Sequence, residues 1–177
     1  GIEEKIKEHP MEMKKQLAEE LHTGQTFYRK NKAGDWLEIT LVTADNKEYR
    51  QAAELIAGFW ENVGVKINLH FVDAKSFSRD VLKERSYDVL LYGEIIGVDP
   101  DPYPFWHSSQ TDYPGLNLSQ YVNRNVDGVI EKIRGGVNES EKAELYRKFQ
   151  DLVMTDLPAV FLYMPTYTFA TTENVRG

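Results

Sequence analysis

The chain contains no cysteine, which excludes disulfide bonds and metal sites built from thiolates. It also has no run of five basic residues and no apolar run long enough to cross a bilayer. Its formal net charge is -7. Because proteins hold nucleic acids largely through the phosphates, that charge argues against a nucleic-acid partner. The sequence therefore predicts neither nucleic-acid binding nor direct insertion of this chain into a membrane.

The enzyme signatures that have a recognisable spacing are also missing. The sequence has no G-x-S-x-G nucleophile elbow, no phosphate-binding G-x-x-x-x-G-K-[ST] loop and no G-x-G-x-x-G motif. The four histidines lie far apart, without the spacing of a metal site: His9, His22, His70 and His107. A nucleophile and a base that meet only in space leave no such signature. From the motifs we expect no catalytic residue, no metal site and no cofactor.

The order of elements predicts an α/β fold. Alternating apolar patterns predict strands at 37–43, 65–72, 88–93 and 159–164, and helices near 45–63, 75–85, 126–134 and 139–156. Asp45 and Asn138 are the expected N-caps of the first and last of these helices. Strands that alternate with helices over short connections are typical of a right-handed parallel sheet. The apolar run of the third strand, VLLY, favours the centre of a mixed, largely parallel sheet with helices on both faces.

A long loop follows the third strand and is the most informative part of the chain. It runs from Gly93 to Gln110 and reads GEIIGVDPDPYPFWHSSQ. The loop begins at the carboxyl end of a strand, which is where α/β proteins hold small ligands. The candidate ligand-binding residues are Glu94, Asp99, Asp101, Tyr103, Trp106 and Ser108. Trp106 suits either a stacking wall for a ligand or a core anchor for the loop. The alternative for the whole segment is an ordered surface loop that packs on its own domain.

Three of these candidates are acidic. Glu94, Asp99 and Asp101 lie within eight residues, and the nearest basic residues in the sequence are Arg85 and Arg124. Unpaired carboxylates beside aromatic rings suit a cationic group such as an amine. Asp-Pro steps are also turn formers whose carboxylates bond nearby backbone amides. Both interpretations stay open at this point.

Five segments in a fixed order carry a resemblance to a known family: LEITLVTADNKEYRQAAELIAGFWENVGVKI, FVDAKSFSRDVLKERSYDVLLYG, DPDPYPFWHSSQ, GLNLSQYVNRNVDGVIEKIR and ESEKAELYRKFQDLVMTDLPAVFLYMP. From Leu37 to Gly177 they resemble the C-terminal lobe of bacterial extracellular solute-binding proteins of the oligopeptide, dipeptide and nickel type. Each segment is loosely matched alone, but five in order are specific. Residues 1–35 form a poorly matched helical and loop lead-in, and residues 36–177 correspond to the lobe.

The resemblance implies one lobe of a two-lobe periplasmic-binding-protein type II fold, and so a piece of a longer protein. That protein would capture a peptide or a similar small solute for an ABC importer and pass it to the membrane permease. It would lie in the periplasm or on the cell surface, held by a lipid anchor, without chemistry or a cofactor. Asp99 is the nearest match to the aspartate that often holds the ligand amine in the family. Glu94 stands where many members have tryptophan.

Two alternatives come from other functional classes. The domain could serve as the ligand sensor of a transcription regulator that shares this fold. It could also be a small α/β enzyme, against which the missing nucleophile and metal motifs already weigh.

Overall fold

A computed structural model describes residues 27–97, 101–166 and 170 of the chain. Its elements are β1 Glu38–Ala44, α1 Lys47–Asn62, β2 Lys66–Val72, α2 Ala74–Phe77 continued by a π-helical turn Ser78–Leu82, β3 Val89–Leu91, α3 Tyr103–Trp106 with a 3₁₀ turn Ser108–Gln110, α4 Arg124–Arg134 and α5 Glu139–Asp156. Most of the predicted lead-in, residues 1–26, lies outside the described residues, as does Asp99. None of the described helices is long and apolar enough to cross a membrane.

The sheet has three strands in the order β2-β1-β3, and both pairings are parallel. β1 pairs with β2 from Glu38↔Lys66 to Ala44↔Val72. It pairs with β3 from Leu41↔Val89 to Thr43↔Leu91. These pairings confirm the three predicted parallel strands. Within the described residues, however, β3 lies at an edge of the sheet and not at the centre that its unbroken apolar run predicted.

The fourth predicted strand, at 159–164, is wrong for the described structure. These residues carry no strand assignment, and most of their side chains are exposed, with Val160 at 78% and Met164 at 90% exposure. A strand exists only where its backbone finds a neighbour. This segment pairs with none of the three described strands, so its apolar composition alone does not produce one.

The helix ends follow local rules, with one correction. Asn46, not the expected Asp45, caps α1, because its side chain accepts the Tyr49 amide at 2.8 Å. Asp45 instead forms an ion pair with Arg50 at 2.6 Å. Asn138 caps α5 as predicted by accepting the Glu141 amide at 3.0 Å. Each cap satisfies an amide that the first helical turn leaves unpaired.

Two groups of buried side chains bear on the position of the loop after β3. Val42 and Ala44 share one face of β1 by the two-residue period of a strand. They belong to a buried cluster with side chains from α2, its π-helical turn and the later loop: Phe77, Val81, Leu82 and Leu118. The second group lines α4 at helical spacing, namely Val126, Val129, Ile130 and Ile133, and α4 packs against α5. The chain between β3 and α4, which includes this loop, contributes Leu118 to the first group and leads into α4, which carries the second group.

Candidate functional site

The chain leaves β3 close to a tyrosine of α1. A Cβ atom built on Gly93 would lie 2.5 Å from the hydroxyl oxygen of Tyr49, which is closer than such contacts occur. A larger residue at position 93 would require the Tyr49 side chain to move. This close approach lies where the chain leaves the sheet at the carboxyl end of the parallel strands.

Glu94 follows directly and is the candidate whose chemistry is most altered. Burial of its carboxyl among protein atoms raises the pKa of Glu94 to about 7, and the positive charge of Arg85 opposes the rise. The residue as a whole is nevertheless exposed, so solvent reaches the side chain. The next two side chains, Ile95 and Ile96, are also exposed. The start of the loop thus presents a carboxyl poised to titrate near neutral pH beside apolar surface.

Asp101 has a basic partner, Arg134, which lies far from it in the sequence. Its carboxylate accepts the Tyr103 amide at 3.0 Å and pairs with Arg134 Nε of α4 at 3.3 Å. The expectation that this acidic group has no nearby lysine or arginine is therefore wrong for Asp101. Its oxygens bond the loop's own backbone and the next helix, as in the structural interpretation of the Asp-Pro repeat.

Tyr103 and Trp106 both pack within the domain. The Tyr103 ring stacks on the ring of His107, with centroids 4.3 Å apart, and the Arg134 guanidinium lies 4.2 Å from its centroid. The Trp106 ring meets the rings of Tyr121, Phe149 and Phe161 at centroid distances of 6.4, 6.2 and 5.9 Å. Both side chains keep part of their surface in solvent. The geometry favours Trp106 as an anchor of the loop.

Ser108 is engaged by an aspartate of α4. Its amide donates to Asp127 Oδ1 at 2.9 Å, and its hydroxyl donates to Asp127 Oδ2 at 2.6 Å. Sequence reasoning did not select Asp127, because nineteen positions separate it from its partner. The sequence did contain one signal for Asp127. Asp127 and Glu131 stand four positions apart on α4, beside its apolar face.

Four of the six candidates thus lie in one loop docked on its own domain: Asp101, Tyr103, Trp106 and Ser108. Glu94 precedes this loop, and Asp99 lies outside the described residues. An open groove of about 450 Å³ elsewhere on the sheet is lined by none of the six. No group of three or more potential metal ligands occurs in the part of the chain that the structure describes. The assignment of ligand contacts to these residues stays a prediction.

Comparisons with known proteins place the fold. The chain is 24% identical over 149 residues to the oligopeptide-binding protein AppA of Bacillus subtilis, which covers 83% of this chain and 27% of AppA. The solved structure of that protein in complex with a nonapeptide matches with a TM-score of 0.65 over 82% of this chain and 29% of AppA. The described fold is that of part of a type II periplasmic binding protein. No family model matches the chain.

Two further proteins agree with this placement. The chain is 24% identical over 159 residues to the probable D,D-dipeptide-binding periplasmic protein DdpA of Escherichia coli, over 88% of this chain and 28% of DdpA. The structure of the ABC transporter substrate-binding protein CtaP of Listeria monocytogenes matches with 26% identity and a TM-score of 0.59, over 67% of this chain and 24% of CtaP. The chain spans less than a third of the length of these relatives. All three are named as binding proteins and none as an enzyme, and the resemblance seen in the sequence is confirmed.

Proposed function

We propose that this chain is one lobe of the substrate-binding component of an ABC importer, which captures a peptide or similar small solute outside the cytoplasmic membrane. The observation that carries the proposal is the match of the described fold to peptide-bound AppA over 82% of the chain. Relatives named for oligopeptides and D,D-dipeptides support the substrate class. The protein binds its ligand without chemistry and hands it to a membrane permease.

The exposed apolar surface supports a second lobe. Ile95 after β3 is 85% exposed, and Val160, Phe161, Leu162, Tyr163 and Met164 form a consecutive exposed apolar run. Large apolar surface of this kind marks sites that another protein part or a ligand covers. In the proposal, residues 36–177 form one lobe, and a second lobe closes over the ligand by a hinge motion. The whole protein lies outside the cytoplasmic membrane, either in the periplasm or held at the cell surface by a lipid anchor.

Glu94 is the proposed acceptor for the ligand's amino group, with Asp99 as a second carboxylate. Tyr103 and Trp106 anchor the loop, and only the parts of their side chains that remain in solvent face the ligand. Asp101 and Ser108 support the loop, since their polar atoms already have partners in the domain. The function is tested by titrating tri-alanine into the longer protein in a calorimeter. We expect binding in the micromolar range, and N-acetyl-tri-alanine should bind at least about tenfold more weakly because it lacks the ammonium. Equal affinity for both peptides would contradict an amine site.

The raised pKa of Glu94 gives the proposed site a pH dependence. A bound ammonium favours the charged carboxylate, so binding lowers the pKa of Glu94 from its value of about 7 and releases a proton. Affinity for tri-alanine should therefore rise roughly tenfold between about pH 5.5 and about pH 7. The pH range stays below the point where the peptide's own amine loses its proton.

The matched control is Glu94→Gln, which keeps the shape of the side chain and cannot titrate. Its affinity should be weak and nearly independent of pH over the same range. Arg85 is the charged group that acts on Glu94, and it remains in the variant. If the variant keeps the full pH dependence, another group is responsible and Glu94 does not hold the amine.

A further inference from the structure

α4 presents three charged side chains in a row beside its apolar face. Asp127, Glu131 and Arg134 stand at positions i, i+4 and i+7, which places them along one side of the helix. We call these three residues the charged stripe of α4. A charged row on a helix ordinarily faces solvent, but this one faces the loop that follows β3.

Each member of the stripe contacts a different residue of that loop. Asp127 accepts two hydrogen bonds from Ser108, at 2.9 and 2.6 Å. Glu131 Oε1 lies 3.4 Å from His107 Nε2. Arg134 pairs with Asp101 at 3.3 Å and covers the ring of Tyr103. The loop therefore lies along the helix over residues 101–108 and is held at its beginning and its end.

The hydrogen-bond donors and acceptors match along the contact. The Ser109 amide donates to His107 Nδ1 at 3.1 Å, which leaves Nε2 as the ring nitrogen that donates to Glu131. The side chains of His107 and Asp127 are only 11% and 14% exposed. Hydrogen bonds to a carboxylate shielded in this way are stronger than those at the surface. The half-exposed pair of Arg134 and Asp101 contributes less, so Asp127 is the main contact.

We propose that the charged stripe of α4 is a positioning device, which fixes the loop of residues 101–110 in its ligand-ready geometry. This positioning role rests on the proposed function. It requires no contact between the ligand and Asp127, Glu131 or Arg134. A loop fixed before binding loses little conformational freedom when the ligand arrives, and affinity rises accordingly. Asp127 thus sets ligand affinity through Ser108.

The test measures loop order and affinity separately. Asp127→Ala removes both acceptors. In the 177-residue chain, we expect hydrogen exchange at the amides of residues 105–110 to rise about tenfold, while exchange at Leu41 in the central strand stays unchanged. In the longer protein, affinity for tri-alanine should fall about tenfold. Asp127→Asn keeps one acceptor oxygen and should restore most of both quantities.

Two further variants keep the test decisive. Ser108→Ala removes one of the same hydrogen bonds from the loop side and replaces Asp127→Ala if that variant does not fold. Glu144→Gln, on an exposed position of α5, removes one negative charge without touching the loop and should change nothing.

The outcomes separate the two proposals. Unchanged loop exchange in Asp127→Ala, or an equal rise at Leu41, overturns the positioning role. Faster loop exchange with unchanged affinity for tri-alanine overturns it as well. If loop exchange rises but the unmodified protein binds no tri-alanine, the docking by α4 is supported and the proposed function fails.

Discussion

Replacing Asn117 with alanine lowers the free energy of unfolding by about 3 kcal/mol, the largest loss that we expect from any single polar side chain described here. Asn117 is fully buried. Its amide nitrogen donates to the carbonyl oxygens of His107 and Tyr121, at 3.2 and 2.8 Å. Its oxygen accepts the Tyr121 amide at 3.0 Å and the Ser119 hydroxyl at 3.2 Å. Alanine leaves buried backbone groups without partners, and each costs about 1–3 kcal/mol.

Urea unfolding followed by circular dichroism measures this loss. Asn125→Ala is the matched control, because Asn125 is exposed at the start of α4, and it should change stability by no more than about 0.5 kcal/mol. A loss of less than about 1 kcal/mol for Asn117→Ala would show that water or a rearranged loop replaces these bonds.

The parts of the fold that the sequence predicts are those decided by local pattern. The alternation in 65–72 and the apolar spacing of Val126, Val129, Ile130 and Ile133 appear in the structure as β2 and as the buried face of α4. The cap of α5 at Asn138 is equally local. At the start of α1, two neighbouring residues, Asp45 and Asn46, both suit an N-cap, and only the backbone geometry selects Asn46.

Non-local contacts account for what the sequence missed. The loop after β3 stands out by its composition, but nothing local shows that Arg134 reaches Asp101 or that Asp127 reaches Ser108. Those contacts depend on how α4 returns to the loop. Residues 159–164 failed as a strand for the same reason, since a strand requires a neighbour and composition does not supply one.

The second large effect that we expect follows from the proposed second lobe. The 177-residue chain alone should bind tri-alanine about a thousandfold more weakly than the longer protein. A site divided between two lobes offers about half of its contacts on each. Half of the binding free energy turns a micromolar dissociation constant into a millimolar one, about -8 against about -4 kcal/mol.

Calorimetric titration of both proteins with tri-alanine measures this difference, and the hydrogen exchange of β1 confirms that the shorter chain is folded during the titration. The exposed apolar run from Val160 to Met164 provides an independent readout. A hydrophobic dye should bind this run in the 177-residue chain, and it should bind less where a second lobe or a bound ligand covers the run. Micromolar binding by the 177-residue chain alone would contradict the two-lobe proposal, since all the contacts needed for capture would then lie on the described domain. The ligand would in that case be held without closure, and Glu94 and the docked loop would account for the whole affinity.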